Sequence, residues 1–380
     1  MSEQYNFDDI RPCRDNEVDK IIADLCQVPY FLGLLGKLFP DLPRQDVLNR
    51  LANVHTVKEF QSQFIIPFLN NLVETTSDGL SASGLEALDP SKAYLFISNH
   101  RDIILDSALM NVKLDEVGFD TTEIAIGSNL LIYDWIVDLV KLNKSFVVKR
   151  GLPVRQMMDA SATLSAYIRQ SITTRHQNIW LAQREGRSKD GNDRTQSSVL
   201  KMLNLSGGAD AVESFRQLNI VPVAITYECD PCDYLKAHQA QLRRDFPDYQ
   251  KSKSEDLTHM STGLLGRKGR IHFAFGKPIN DELGQFTVLN RNAQITLIAE
   301  VIDRQIHRNY HLWPSNYIAL DVLENSSRHA SEYTDTQKVD FFEYINEHIH
   351  RLDDCDEDFI REQILRSYAN PLINQEQAYK

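Results

Sequence analysis

At 380 residues, 42% hydrophobic and 25% charged, the chain has the length of one large body or two modest ones and the composition of a packed, water-soluble protein. A small disulfide-stapled fold, a disordered chain and a collagen-like or coiled-coil rod are excluded. Its 53 acidic residues outnumber its 41 lysines and arginines, a net charge of −12, which excludes nucleic-acid binding through bulk positive charge and leaves any anion site to a local cluster.

Along the chain, the opening stretch from Met1 to Asp9 is acidic and lacks the basic and apolar blocks of a secretory signal. From Asn16 to Val73 the pattern is helical, with Val18, Ile21, Ile22 and Leu25 on one face and Pro29, Pro40, Pro43 and Pro67 as punctuation. Several short helices capping the main core are expected here. The apolar tract 29–39, with Lys37 its one charge, also suits a helix lying on a membrane surface. No apolar run reaches the roughly 18 residues that a spanning helix needs.

After a small, polar stretch at 75–83 the texture changes. Short apolar runs at 93–98, 123–126, 145–149, 178–182, 220–227 and 270–275 alternate with helical patterns at 104–112, 133–142, 154–171 and 208–218. That alternation predicts an α/β fold: a mainly parallel sheet flanked by helices, with helical N- and C-terminal additions. Ile295, Leu297, Ile298, Val301, Ile302 and Ile306 mark a long amphipathic helix in the tail. The expected organisation is 1–82 helical, 83–285 the α/β domain and 286–380 helical. Five thinly spread cysteines argue for a reducing compartment rather than a disulfide framework.

In such folds ligands gather at the carboxyl ends of the strands, where four segments carry chemistry. The first, Asn99-His100-Arg101-Asp102-Ile103-Ile104-Leu105-Asp106, places a histidine at a strand end with carboxylates that can fix its tautomer, the layout of a general base. In the second, Phe146-Val147-Val148-Lys149-Arg150, a strand ends in two cations within an acid-free island that also holds Lys141, Lys144 and Arg155. The third runs from an apolar strand into Gln183-Arg184-Glu185-Gly186-Arg187-Ser188-Lys189, where glycine permits close backbone approach and the cations suit an anion. The fourth, Val221-Pro222-Val223, puts a proline inside an apolar run, which demotes an interior strand or marks a special start.

Taken in order, these segments resemble the glycerolipid acyltransferase family, that of lysophosphatidate and glycerol-3-phosphate acyltransferases. Asn99, His100 and Asp106 are similar to its Asn-His block with a following carboxylate. Phe146, Val147 and Arg150 resemble its Phe-Ile-x-Arg, and Glu185, Gly186, Arg187 and Ser188 its Glu-Gly-x-Arg-Ser. Val221, Pro222 and Val223 match its Val-Pro-Val, and Gly84-Leu85-Glu86-Ala87-Leu88 and Gly276-Lys277-Pro278-Ile279 resemble its flanking motifs. The resemblance spans 83–280. In two places the chain departs from the pattern. Five residues rather than four separate His100 from Asp106, so Asp106 is favoured as the partner and Asp102 stays open; the third block lacks a residue before Arg187, which leaves the phosphate contact open among Arg187, Lys189 and Arg194.

The resemblance implies transfer of a fatty acyl group from acyl-CoA or acyl carrier protein, as co-substrate and with no metal or other cofactor, to a hydroxyl of a lysophospholipid or glycerol-phosphate acceptor. His100 would be the base, Asp106 or Asp102 its support, and Arg150 and Arg187 the phosphate clamp. Asn99, Arg101, Phe146, Lys149, Glu185, Gly186, Ser188 and Pro222 are implied in substrate binding. It also implies a cytoplasmic protein, peripheral on the inner face of the cell membrane. Two alternatives stand beside it: a phospholipid-remodelling transacylase or acyltransferase for a non-phosphate acceptor, and a catalytically silent lipid-binding relative.

Other motifs read as structural. Cys229-Asp230-Pro231-Cys232 has no second cysteine pair at metal spacing and suits a turn; His307 and His311 suit helix packing; the acidic run 353–358 suits a helix N-terminus. The stretch 79–84 does not satisfy G-x-S-x-G, against a serine-hydrolase reading.

Overall fold

The computed structural model describes residues 5–39, 42–208, 210–284 and 290–380. Pro40, position 209 of the expected 208–218 helix and the expected boundary at 285–286 lie outside these residues. Seven strands, β1 (Leu80–Ser83), β2 (Leu95–Ser98), β3 (Glu123–Gly127), β4 (Ser145–Val148), β5 (Ile179–Ala182), β6 (Ile220–Tyr227) and β7 (Ile271–Phe275), form one sheet in the order β1-β7-β6-β2-β5-β3-β4. From β6 to β4 all neighbours are parallel, while β7 runs antiparallel to β6 and carries β1 parallel to itself. Helices cover both faces, so the fold is α/β with a mainly parallel sheet.

Strand β2 lies at the centre, between β5 and β6. Its residues alternate between two cores, Leu95 and Ile97 facing one and Phe96 the other, which fixes the register and the place where the chain leaves the sheet at Asn99. Pro222 sits inside β6 although that strand is interior. Its carbonyl accepts from Gly276 N at 2.8 Å, one residue beyond the end of β7, so the missing N–H costs the antiparallel ladder only its terminal bond. The proline marks the start of the β6–β7 pairing and does not demote the strand.

The sequence pattern misses β1, the Ser197–Leu203 helix and two helices between β6 and β7. The β1 residues, Leu-Ser-Ala-Ser, form an edge strand of alternating exposure with no β-branched residue, and β7 supplies all of its pairing. The Asp233–Asp245 helix buries Asp233, Lys236, Gln239 and Gln241 along with Tyr234 and Ala237, so the face turned inward is mostly polar and leaves no apolar periodicity to read. The Lys253–Leu265 helix opens with a capping box from Ser252 and Glu255.

At the N-terminus, Val18, Ile22 and Leu25 of the Asp15–Leu25 helix share a core with Phe31 and Leu35 of the Pro29–Leu38 helix and with Leu142. The 29–39 tract therefore buries part of its apolar surface within the protein, while Tyr30 remains 80% exposed. The Arg291–Arg308 helix lays Ile295, Ile298, Val301, Ile302 and Ile306 on the core beneath β2 and β6. His307 lies on that helix, but His311 falls beyond its end and packs at a tilt against Trp313. Asp356 caps the Glu357–Ala378 helix by accepting from Phe359 N. Among the described residues, no helix is long and apolar enough to cross a membrane.

Candidate active site

His100 leaves the carboxyl end of β2 with its Nδ1 2.8 Å from Asp106 Oδ2. Asp106 is fully buried in the first turn of the Leu105–Glu116 helix. Its carboxylate also accepts from Arg101 N at 2.6 Å, Asp102 N at 3.0 Å and the Tyr227 hydroxyl at 3.2 Å. Four donors converge on one carboxylate, so it is held rigidly and orients the imidazole. With a hydrogen on Nδ1 donated to Asp106, Nε2 keeps a lone pair, the form a general base requires. The indole of Trp180 meets the imidazole edge-on at 5.6 Å and is itself anchored to Ser98 Oγ.

Asp102 has a different task. Its Oδ1 accepts from Ile104 N and Leu105 N, both at 2.8 Å, and so caps the helix; it makes no hydrogen bond to the ring. Burial, then the nearby Asp106 charge, raises its pKa. The turn between His100 and Asp106 thus folds its N–H groups back on that carboxylate.

The loop after β5 runs against this turn. Ser188 N donates to the His100 carbonyl at 3.2 Å, and Gln183 N donates to the Ser98 carbonyl at 2.8 Å. Arg150, just beyond β4, forms an ion pair with Glu185, Nη1 to Oε1 2.7 Å, which joins the second and third segments. Arg187 turns inward, 6% exposed, with Nη2 3.0 Å from His259 Nδ1 and Nη1 buried without a hydrogen-bond partner. Lys189 is partly buried close by; burial, then the charge of Arg187, pushes its pKa down to about 6. Arg194 points elsewhere, to Asn374 and His307 of the C-terminal helices.

Several residues implied in substrate binding are spent on structure. Asn99 uses both ends of its amide on the backbone of Ile225, extending the β2–β6 ladder past the strand. Arg101 is buried and faces Asp230 at 3.4 Å, with Lys236 completing the group by bonding Asp230 and the Arg101 carbonyl. Phe146 is a core residue against Tyr167, and Pro222 is buried within the sheet between β2 and β7. Lys149 reaches Asp9 on the N-terminal segment. The side chains therefore fall into three groups on adjoining loops: His100 and Asp106 with Tyr227 and Trp180, Arg187 with His259 and Lys189, and Arg150 with Glu185; the motifs do not mark Tyr227, Trp180 or His259. Cys229 and Cys232 are free thiols, each pushed up to about 12 by burial, which suits a structural turn.

The C-terminal helices hold the far side of the loop. Asn370 Nδ2 donates to the Asp190 carbonyl at 2.7 Å, and His307 Nε2 lies 3.0 Å from the Asp193 carbonyl. Gly191 adopts φ +72°, where a Cβ would stand 2.3 Å from the Ser367 carbonyl oxygen; Gly186 has a similar φ of +71° but open space. Gly191→Ala should therefore cost about 1–3 kcal/mol in urea denaturation, clearly more than Gly186→Ala, because only the former adds a clash to the strain. Equal losses would show that Ser367 yields.

No family model and no curated protein matches the chain. Among solved structures, it is similar to the crystal structure of the 1-acyl-sn-glycerophosphate (LPA) acyltransferase, PlsC, from Thermotoga maritima, with a TM-score of 0.35 and 12% identity, over 75% of this chain and 95% of that chain.

Proposed function

We propose that the protein is an O-acyltransferase that moves a fatty acyl group from a thioester to a hydroxyl of a phosphate-bearing glycerolipid acceptor. The observation that supports this is a histidine bonded through Nδ1 to a buried carboxylate, His100 on Asp106, beside a loop that carries a buried arginine with an unused donor. A hydroxyl is a poor nucleophile until its proton is removed. His100 Nε2 takes that proton as the oxygen attacks the thioester carbonyl, and Asp106 stabilises the imidazolium. The tetrahedral intermediate then expels the thiolate, which receives the proton back from His100, giving ester and free thiol. No acyl-enzyme is needed. Arg187 and Lys189 hold the phosphate, with Arg150 and Glu185 at the rim. The thioester is that of acyl-CoA or acyl carrier protein, and the acceptor's chains place the work at a membrane surface.

Incubation of the purified protein with labelled oleoyl-CoA and lysophosphatidate tests this directly. Labelled phosphatidate is the expected product; no product with either thioester donor and either lysophosphatidate or glycerol 3-phosphate would overturn the proposal.

Lys189 supplies a second check. Its pKa, near 6 in the folded protein against an ordinary 10.5, leaves it mostly unprotonated at pH 7.5. A docked dianion restores the charged form, so binding should take up close to one proton. Sulfate, which has no titratable proton at that pH, is the clean probe: calorimetric heats should differ between buffers of high and low ionisation heat, and buffer-independent heats would contradict the assignment. The sign for stability follows from the same depression. The unfolded chain holds the extra proton between pH 6 and 10.5, so without ligand stability rises with pH across that window, and Lys189→Met flattens the slope.

A further inference from the structure

His259 lies on the Lys253–Leu265 helix, in the β6–β7 connection that none of the four motif segments reaches. Its Nδ1 stands 3.0 Å from Arg187 Nη2, and the two side chains are 3% and 6% exposed. A guanidinium only donates, so Nδ1 is the acceptor, and the ring's hydrogen sits on Nε2. Burial, then the charge of Arg187, pushes the ring's pKa down to about 2, which keeps it in that neutral form.

The helix is seated closely enough to make this contact a fixed one. Gly263 lies one turn beyond His259 on the same face, and a Cβ there would stand 2.1 Å from Asp102 Oδ2. Cys232 Sγ also reaches the His259 carbonyl, at 3.2 Å. The glycine lets the helix rest on the very turn that holds His100, and the imidazole arrives at Arg187 as a result.

With Nη2 engaged, Arg187 Nη1 is left buried without a partner, a costly state that a ligand oxygen relieves. Asp102, the carboxylate whose charge acts on Arg187, has its Oδ1 committed to the helix N-terminus. Among the described residues, no carboxylate bonds Lys189.

We propose that His259 is a positioning residue of the acceptor pocket: by accepting from Nη2 it turns the guanidinium so that Nη1, with Lys189 beside it, meets a phosphate monoester. A monoester suits these groups better than a diester, because its second negative charge answers the second cation and its three unsubstituted oxygens leave the donors unobstructed. The identity of the acceptor as a substrate rests on the proposed acyl transfer, whereas the pocket rests on the Arg187–His259 geometry alone.

Two substitutions separate positioning from packing. His259→Phe keeps the ring's bulk and removes the acceptor; His259→Asn places an amide oxygen near the position of Nδ1 and restores it. The KM for lysophosphatidate should rise about tenfold or more in the Phe variant and return to within about threefold in the Asn variant, with kcat and the thioester KM little changed. Independently of turnover, calorimetric binding of glycerol 3-phosphate should weaken and recover in the same order, and glycerophosphocholine, a diester, should bind to neither variant nor to the wild type. Wild-type binding in the Phe variant, or equal loss in both variants alongside a lowered melting temperature, would overturn the positioning role. If glycerol 3-phosphate binding follows the expected order but no acyl group is transferred, the pocket stands and the acyltransferase proposal falls. If acyl transfer is observed but binding is unaltered in both variants, the acyltransferase proposal stands and the positioning role falls.

Discussion

His100→Ala should lower acyl transfer by about 10²–10⁴-fold, the order expected when a positioned general base is removed. The loss should fall on kcat, because the phosphate contacts lie on a different loop. Folding should survive. Asp106 keeps its bonds from Arg101 N, Asp102 N and the Tyr227 hydroxyl, so the variant forfeits one hydrogen bond, about 1 kcal/mol, and a melting temperature lower by a few degrees at most. Thermal melts followed by circular dichroism, run beside the labelled transfer assay, check both halves. Activity within about tenfold of wild type in a folded variant would remove His100 from the role of base.

Asp106→Asn should affect both activity and stability. The amide keeps the size of the carboxylate but places an NH2 group among donors, so at least one of the buried N–H and O–H groups that converge there loses its acceptor, at about 1–3 kcal/mol. The imidazole also loses the charge that fixes its tautomer, and transfer should drop by about 10²–10⁴-fold. Asp102→Asn is the informative partner. Its side chain caps a helix and does not touch the ring, and its amide oxygen can still accept from Ile104 and Leu105, so activity should stay within about threefold and stability within about 1 kcal/mol. If Asp102→Asn is the variant that loses activity while Asp106→Asn keeps it, the histidine's partner is Asp102 and not Asp106.

Six of the seven strands are readable in the sequence because strands buried on both faces are nearly continuous apolar runs, as in Ile220–Tyr227, which is buried along its whole length. Strand β1 and the Asp233–Asp245 helix escape notice for the opposite reason: serines on an edge and a buried face of Asp, Lys and Gln carry no hydrophobic rhythm. At the site, the histidine and the loop arginine can be located by their place at strand ends. The roles of their neighbours cannot. Asn99 and Arg101 sit in the same motif as His100, yet a sharp turn leaving a central strand consumes polar side chains to satisfy its own backbone and buried charges, and both are used that way. His259 is invisible to spacing arguments because it reaches Arg187 from a helix 72 positions away, and only the close approach at Gly263 brings it there.

Asn370 holds the Asp190 carbonyl, and the Gly191 backbone lies close against Ser367, so the C-terminal helix braces the loop after β5. The sheet and His100 can assemble without it, but the loop bearing Arg187 lacks its outer brace until the Glu357–Ala378 helix has docked. A chain in which that helix has not yet docked therefore carries Arg187 on an unbraced loop.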